Sequence, residues 1–80
     1  MNLDVEKFMK VIEELDNELL GMYIDMVSIV LHVTDAMFKI AKKENESEET
    51  INFILRTIEF YKMVYNQLIK ENNKRWGIFS

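Results

Sequence analysis

The sequence contains no cysteine and no proline, and only two of its 80 residues are glycine. Without cysteine, the chain can form neither a disulfide nor a thiolate metal site. It has a single histidine, so a zinc site would need carboxylate ligands or a second subunit. A chain of this length buries only a limited core and often depends on a partner for stability. Because the composition excludes disulfides and thiolate metal sites, we expect association with a second copy to stabilise the chain.

Acidic residues outnumber basic ones by fourteen to ten, and the formal net charge is −4. We therefore expect most of the surface to repel nucleic acid. The first ten residues include two acidic side chains and lack the apolar core of a secretory signal. Charges at Asp25, Asp35 and Lys39 interrupt the apolar span 19–41, and each would cost about 2.5–3.5 kcal/mol near a bilayer centre. The composition predicts one soluble cytoplasmic domain over residues 1–80, without a membrane partner.

An apolar repeat runs through the first half of the chain, with spacings that alternate between three and four residues. This rhythm keeps one side of an α-helix facing a partner, as in coiled coils and helical bundles. It predicts a long helix from about residue 3 to residue 43. The repeat consists of Val5, Phe8, Ile12, Leu15, Leu19, Met22, Met26, Ile29, Val33, Ala36 and Ile40.

The strongest break in the helical pattern lies at residues 44–47. Asn45 can adopt the left-handed conformation that ends a helix, and Ser47 can cap the next helix through its hydroxyl. A second helix is predicted from about residue 48 to Trp76, with Gly77 as its stop. A short turn between two long helices predicts an antiparallel hairpin, so the fold class is all-α.

The predicted first helix is longer than the second, so its first dozen residues would overhang the hairpin. An apolar overhang needs a cover, which could be the C-terminal tail, a second subunit or a fold-back of the first helix. The fold-back gives an alternative architecture, a three-helix bundle with a break at Gly21. Glycine costs about 1 kcal/mol relative to alanine inside a helix, and Asp16 and Asn17 could cap a new helix.

The predicted helices are apolar over more of their circumference than one neighbour can cover. A helix with one neighbour needs an apolar strip roughly 100° wide, and large uncovered apolar patches usually mark interfaces. We therefore expect two hairpins to pair as a homodimeric four-helix bundle. Its predicted dimer core comprises Leu19, Met22, Met26, Ile29, Val33, Phe53, Phe60 and Val64.

A second predicted surface could bind a different protein. The C-terminal tail is apolar at Trp76, Ile78 and Phe79, although chain ends are usually polar, and tryptophan is frequent at binding hot spots. The overhang adds Phe8 and Ile12. These five residues are the predicted partner-binding site, and docking of the tail onto the overhang is the alternative.

Two further hypotheses belong to other functional classes. The basic end of the second helix, 70–76, could bind nucleic acid through its cations and stack a base on its tryptophan. His32, Asp35 and Glu59 could form a metal site of a bundle enzyme, since bundle sites combine histidine and carboxylates from facing helices. Against the metal site, the histidine and the aspartate lie on the polar stripe of their helix.

The sequence shows no phosphate-binding glycine loop, and no motif places a base beside a serine or threonine nucleophile. We therefore predict a small non-enzymatic protein–protein interaction module (an adaptor, an inhibitor or a regulatory subunit) that needs no cofactor. The expected partners are a second copy of the chain and an unidentified protein.

Overall fold

A computed structural model describes residues 4–77 of the chain, and they form three α-helices. Helix α1 spans Val5–Glu14, α2 spans Asn17–Lys43 and α3 spans Glu48–Trp76. The prediction of an all-α fold is confirmed over this part of the chain.

The predicted continuous first helix is wrong, because the backbone turns between α1 and α2. Leu15 is extended, with φ −69° and ψ 138°, and Asp16 begins the next helix. The Asp16 carboxylate accepts a 2.8 Å hydrogen bond from the backbone N–H of Leu19, a capping contact that satisfies a donor at the helix start. The alternative of three helices is confirmed in its number of helices over the described residues, but its break at Gly21 is misplaced, since Gly21 lies within α2.

The predicted turn between the two long helices is confirmed. Asn45 has a positive φ of 55°, a conformation that asparagine tolerates better than most residues. Ser47 caps α3, and its hydroxyl oxygen accepts a hydrogen bond from the backbone N–H of Thr50 at 3.2 Å. Gly77 follows α3 in the left-handed conformation, with φ 64°, as the sequence predicts.

Helices α2 and α3 form the antiparallel hairpin, and α1 folds back onto α3. The predicted apolar overhang is therefore wrong: Ile12 is covered and belongs to the central cluster. On α2 the side that packs inward carries Leu20, Ile24, Val27 and Leu31, which is a different stripe from the apolar repeat described above. The buried residues of the described chain are Ile12, Leu20, Val27, Ala41, Ile54 and Leu68, and Leu20 is fully buried.

Arg75, near the end of α3, forms hydrogen bonds with all three helices. It pairs with Glu71 one turn earlier, Nε to Oε2 at 2.8 Å. It also donates to the side-chain oxygen of Asn17 at the start of α2 and to the carbonyl oxygens of Ile12 and Glu13, each at 3.1 Å. The Ile12 carbonyl oxygen also accepts a hydrogen bond from the Leu15 N–H at 3.2 Å, so the guanidinium adds a second bond there and a further one to Glu13 at the end of α1.

Candidate interaction surface

One side of α2 is apolar and uncovered along almost the whole helix. Its residues follow the three–four rhythm, and Ile29 near its middle is 63% exposed. None of the described helices lies over them. This surface, called the α2 stripe below, consists of Leu19, Met22, Met26, Ile29, Val33, Met37 and Ile40.

The α2 stripe is uncovered because α2 has two apolar sides and α3 covers the other one. Ile29 follows Leu20 by nine residues, which is about two and a half helical turns, so the two side chains point in opposite directions. Leu20 is fully buried in the core. Both sides show the same three–four spacing, and together they leave polar side chains only a narrow strip of the helix.

Aromatic residues extend the apolar surface onto α3. Phe53 is 69% exposed, and Phe60 is 44% exposed. Phe60 contacts Tyr61 edge to face, with 5.4 Å between the ring centroids, which orients the ring without covering it. Val64 differs from these two, because it is half-buried against the central cluster. Of the predicted dimer-core residues, Val64 is therefore already part of the fold of the single chain.

The predicted partner-binding residues do not form one surface. Ile12 is 3% exposed and cannot offer a docking site, and Phe8 is half-buried against the same cluster. Both are covered because α1 folds back. Trp76 is 64% exposed, with its indole N–H donating to the Asn72 side chain at 3.2 Å. Ile78 and Phe79 lie outside the described residues.

The fold-back of α1 creates an apolar groove that the sequence did not predict. The groove has a volume of about 240 Å³ and lies where α1 meets the hairpin. Val11 and Tyr23 line its rim and are exposed. Only the position of the α1–α2 break brings these two residues together, so the capping signal at Asp16 is the one sequence feature that could have indicated the groove.

The basic end of α3 faces acidic side chains. Lys70 and Lys74 line an open groove of about 210 Å³ together with Glu13 and Glu71. Arg75 is engaged by its hydrogen bonds to α1 and α2. The predicted nucleic-acid surface at residues 70–76 is therefore a groove of mixed charge rather than a basic patch.

The structure does not gather His32, Asp35 and Glu59 into a metal site. All three residues are exposed, and Asp35 pairs with Lys39 at 3.2 Å. Among residues 4–77, no three histidine or acidic side chains lie close enough together to hold a metal ion.

Within the described residues, α2 is the one helix long and apolar enough to cross a membrane. This is weak evidence, because length and composition alone also admit core helices of soluble proteins and signal sequences. Only 11% of the apolar window is buried in the single chain, so α2 is not covered in the manner of a core helix. The helix therefore has an apolar surface that the other described helices leave uncovered.

Comparison of the chain with protein-family models, with curated proteins and with solved structures finds no match.

Proposed function

We propose that this protein is a small non-enzymatic interaction module that acts as a homodimer. In the dimer, α2 and α3 of each copy would supply the four long helices of a bundle, and the α2 stripe with Phe53 and Phe60 would form the contact. The observation that carries the proposal is the exposure of this stripe, seven apolar side chains in helical register that the single chain leaves uncovered.

The total surface of the chain supports an interface of ordinary size. The chain exposes 6515 Å², whereas a compact monomer of 9.6 kDa exposes about 5100 Å². The excess is larger than the roughly 800 Å² that each partner buries in a standard stable complex. A dimer with an interface of standard size would therefore remove roughly half of the surface that the single chain has in excess.

The molecule is elongated, as its excess surface also indicates. The radius of gyration is 15.0 Å and the longest dimension is 45 Å, whereas a compact domain of 80 residues has a radius of about 12 Å. Helix α1 is too short to cover the whole hairpin, since its ten residues span only about 15 Å. A second hairpin would cover the remaining length.

A second copy accounts for this surface better than the other partners considered. Nucleic acid would need an uninterrupted basic patch, whereas Lys70 and Lys74 share their groove with carboxylates. A membrane would have to accommodate the polar strip of α2, which includes Asp25 and Lys39, at a cost of several kcal/mol. We therefore propose a cytoplasmic location and a protein partner. Trp76 is the side chain we propose for contact with a further, different protein.

The oligomeric state tests the proposal most directly. Light scattering over a dilution series should give a mass near twice that of the 9.6 kDa chain at the higher concentrations. Ile29→Glu should weaken association about a hundredfold or more, because each dimer would bury two carboxylates without partners. The helical circular dichroism of the variant should be retained, since Ile29 is exposed in the single chain.

Asn66→Glu is the matched control, because it adds the same charge at an exposed polar position of α3. This variant should dimerise like the parent protein. A parent chain that stays a well-folded monomer at every concentration would refute the proposed homodimer.

A further inference from the structure

A row of four polar residues runs beside the α2 stripe at seven-residue intervals. Glu18 and Asp25 are acidic and lie toward the start of α2, whereas His32 and Lys39 follow toward its end. Residues seven apart lie on nearly the same side of a helix, about 20° apart, so the row follows one flank of the stripe. All four residues are exposed in the single chain.

If α2 of a second copy runs antiparallel to α2 of the first, the polar rows of the two copies face each other. Glu18 then lies beside Lys39 of the second copy, and Asp25 lies beside His32 of the second copy. The symmetry repeats both pairs, so each acidic residue faces a basic or neutral one. In the parallel arrangement, the two polar rows would lie on opposite flanks of the contact, and each row would face the apolar row of Tyr23, Val30 and Met37 of the second copy, so the acidic residues would meet no basic partner.

The apolar residues fit the same reversed arrangement. In antiparallel coiled coils, a residue at the first core position of the seven-residue repeat packs against a residue at the second core position of the other helix. With the charge row paired as above, Met26 lies against Ile29 of the second copy and Met22 lies against Val33 of the second copy. All four positions are at least half exposed in the single chain, so the contact needs no rearrangement of the core.

We infer that the second copy packs with its α2 antiparallel to α2 of the first, about a twofold axis between Met26 and Ile29. This inference rests on the proposed homodimer and adds its orientation and register. Lys39 pairs with Asp35 within the chain, but its side chain is 76% exposed and can reach a second carboxylate. The antiparallel order also places the two helix dipoles in opposite directions, which is the favourable arrangement for neighbouring helices.

Single-cysteine variants test the orientation, because the natural sequence has no cysteine. Met22→Cys and Val33→Cys are each made in the full chain and oxidised separately and as a mixture. In the antiparallel dimer, two copies of the same cysteine lie about 17 Å apart along the helix axis. A disulfide requires Cα atoms within about 7 Å. Each variant alone should stay uncrosslinked, whereas the mixture should give a covalent dimer joining one chain of each kind.

Covalent dimers of each variant alone would show a parallel pair of α2 helices and overturn the inferred orientation. A protein that light scattering shows to be dimeric but that crosslinks in neither experiment would place the interface elsewhere and overturn the inference, while the homodimer stands. A monomer by light scattering would overturn the proposed function itself. Circular dichroism and light scattering of the reduced variants establish that each one folds and associates like the parent chain.

Discussion

The guanidinium of Arg75 donates a 3.1 Å hydrogen bond from Nη2 to the carbonyl oxygen of Ile12, 63 residues earlier in the chain. The bond joins the end of α3 to the last turn of α1. The same nitrogen reaches the carbonyl oxygen of Glu13, also at 3.1 Å. Because α1 is only ten residues long, it would be marginal as an isolated helix, and this contact helps to hold it against the hairpin.

Replacement of Arg75 should destabilise the fold through the lost contacts with α1. We expect Arg75→Ala to lower the free energy of unfolding by about 2–3 kcal/mol, because hydrogen bonds to a charged group are lost and the half-buried Glu71 carboxylate is left without its partner. Arg75→Lys should recover only part of this loss, since an ammonium group lacks the planar fork. Urea unfolding at one protein concentration measures both changes.

Lys74→Ala is the control for Arg75, because Lys74 is the adjacent exposed cation. It should change stability by less than about 0.5 kcal/mol, as surface substitutions usually do. Equal effects of the two alanine variants would show that Arg75 contributes only its charge.

The cap at Asp16 should determine where α2 begins. Asp16→Ala removes the acceptor for the Leu19 N–H and should cost about 1 kcal/mol. For a domain of this size, that change lowers the melting temperature by about 4–8 °C. Asp16→Asn should keep nearly full stability, because asparagine caps as well as aspartate. Thermal unfolding followed by circular dichroism compares the two variants, and equal losses in both would exclude a capping role.

The two glycines should respond to alanine with opposite signs. Gly21 lies inside α2, and an added Cβ would meet no atom within 4 Å. Gly21→Ala should therefore stabilise the protein by up to about 1 kcal/mol. Gly77 has φ 64°, where a Cβ costs about 1–2 kcal/mol, so Gly77→Ala should destabilise it. Chemical unfolding of the two variants side by side measures both signs, and two changes of the same sign would contradict the prediction.

The only tryptophan of the chain, Trp76, reports on the C-terminal end of α3. It is 64% exposed and is not among the residues proposed for the dimer contact, which are the α2 stripe with Phe53 and Phe60. We expect acrylamide to quench its fluorescence to the same extent in the monomer and in the dimer. Quenching measured across the dilution series checks this. Protection at high concentration would mean that the C-terminal end enters the interface and would contradict the proposed placement.

The turn between α2 and α3 was predictable because its signals are local. Asn45 and Ser47 specify the end of one helix and the start of the next through their own backbone and side chain. The end of α3 is also signalled by the residue at that position, Gly77. None of these features depends on which residues pack against each other.

The break between α1 and α2 was predicted only as an alternative, and at Gly21, because the apolar repeat continues across it. Ile12, Leu15 and Leu19 keep the three–four spacing although the backbone turns at Leu15. The capping signal at Asp16 was present in the sequence, but an uninterrupted repeat outweighed it. The sequence also could not show which side of α2 packs inward, since the stripe through Leu20 has the same spacing as the stripe through Ile29. Only tertiary packing distinguishes two sides of equal hydrophobicity.

The core is unevenly distributed along the hairpin. The central cluster lies at the α1 end, whereas at the turn end the buried side chains are Ala41 and Ile54. A lone chain should therefore open first near the turn, and amide hydrogens there should exchange faster than those around Leu20 and Leu68. The proposed homodimer would cover Met37 and Ile40 near this end, so resistance to proteolysis would then rise with the concentration of the chain.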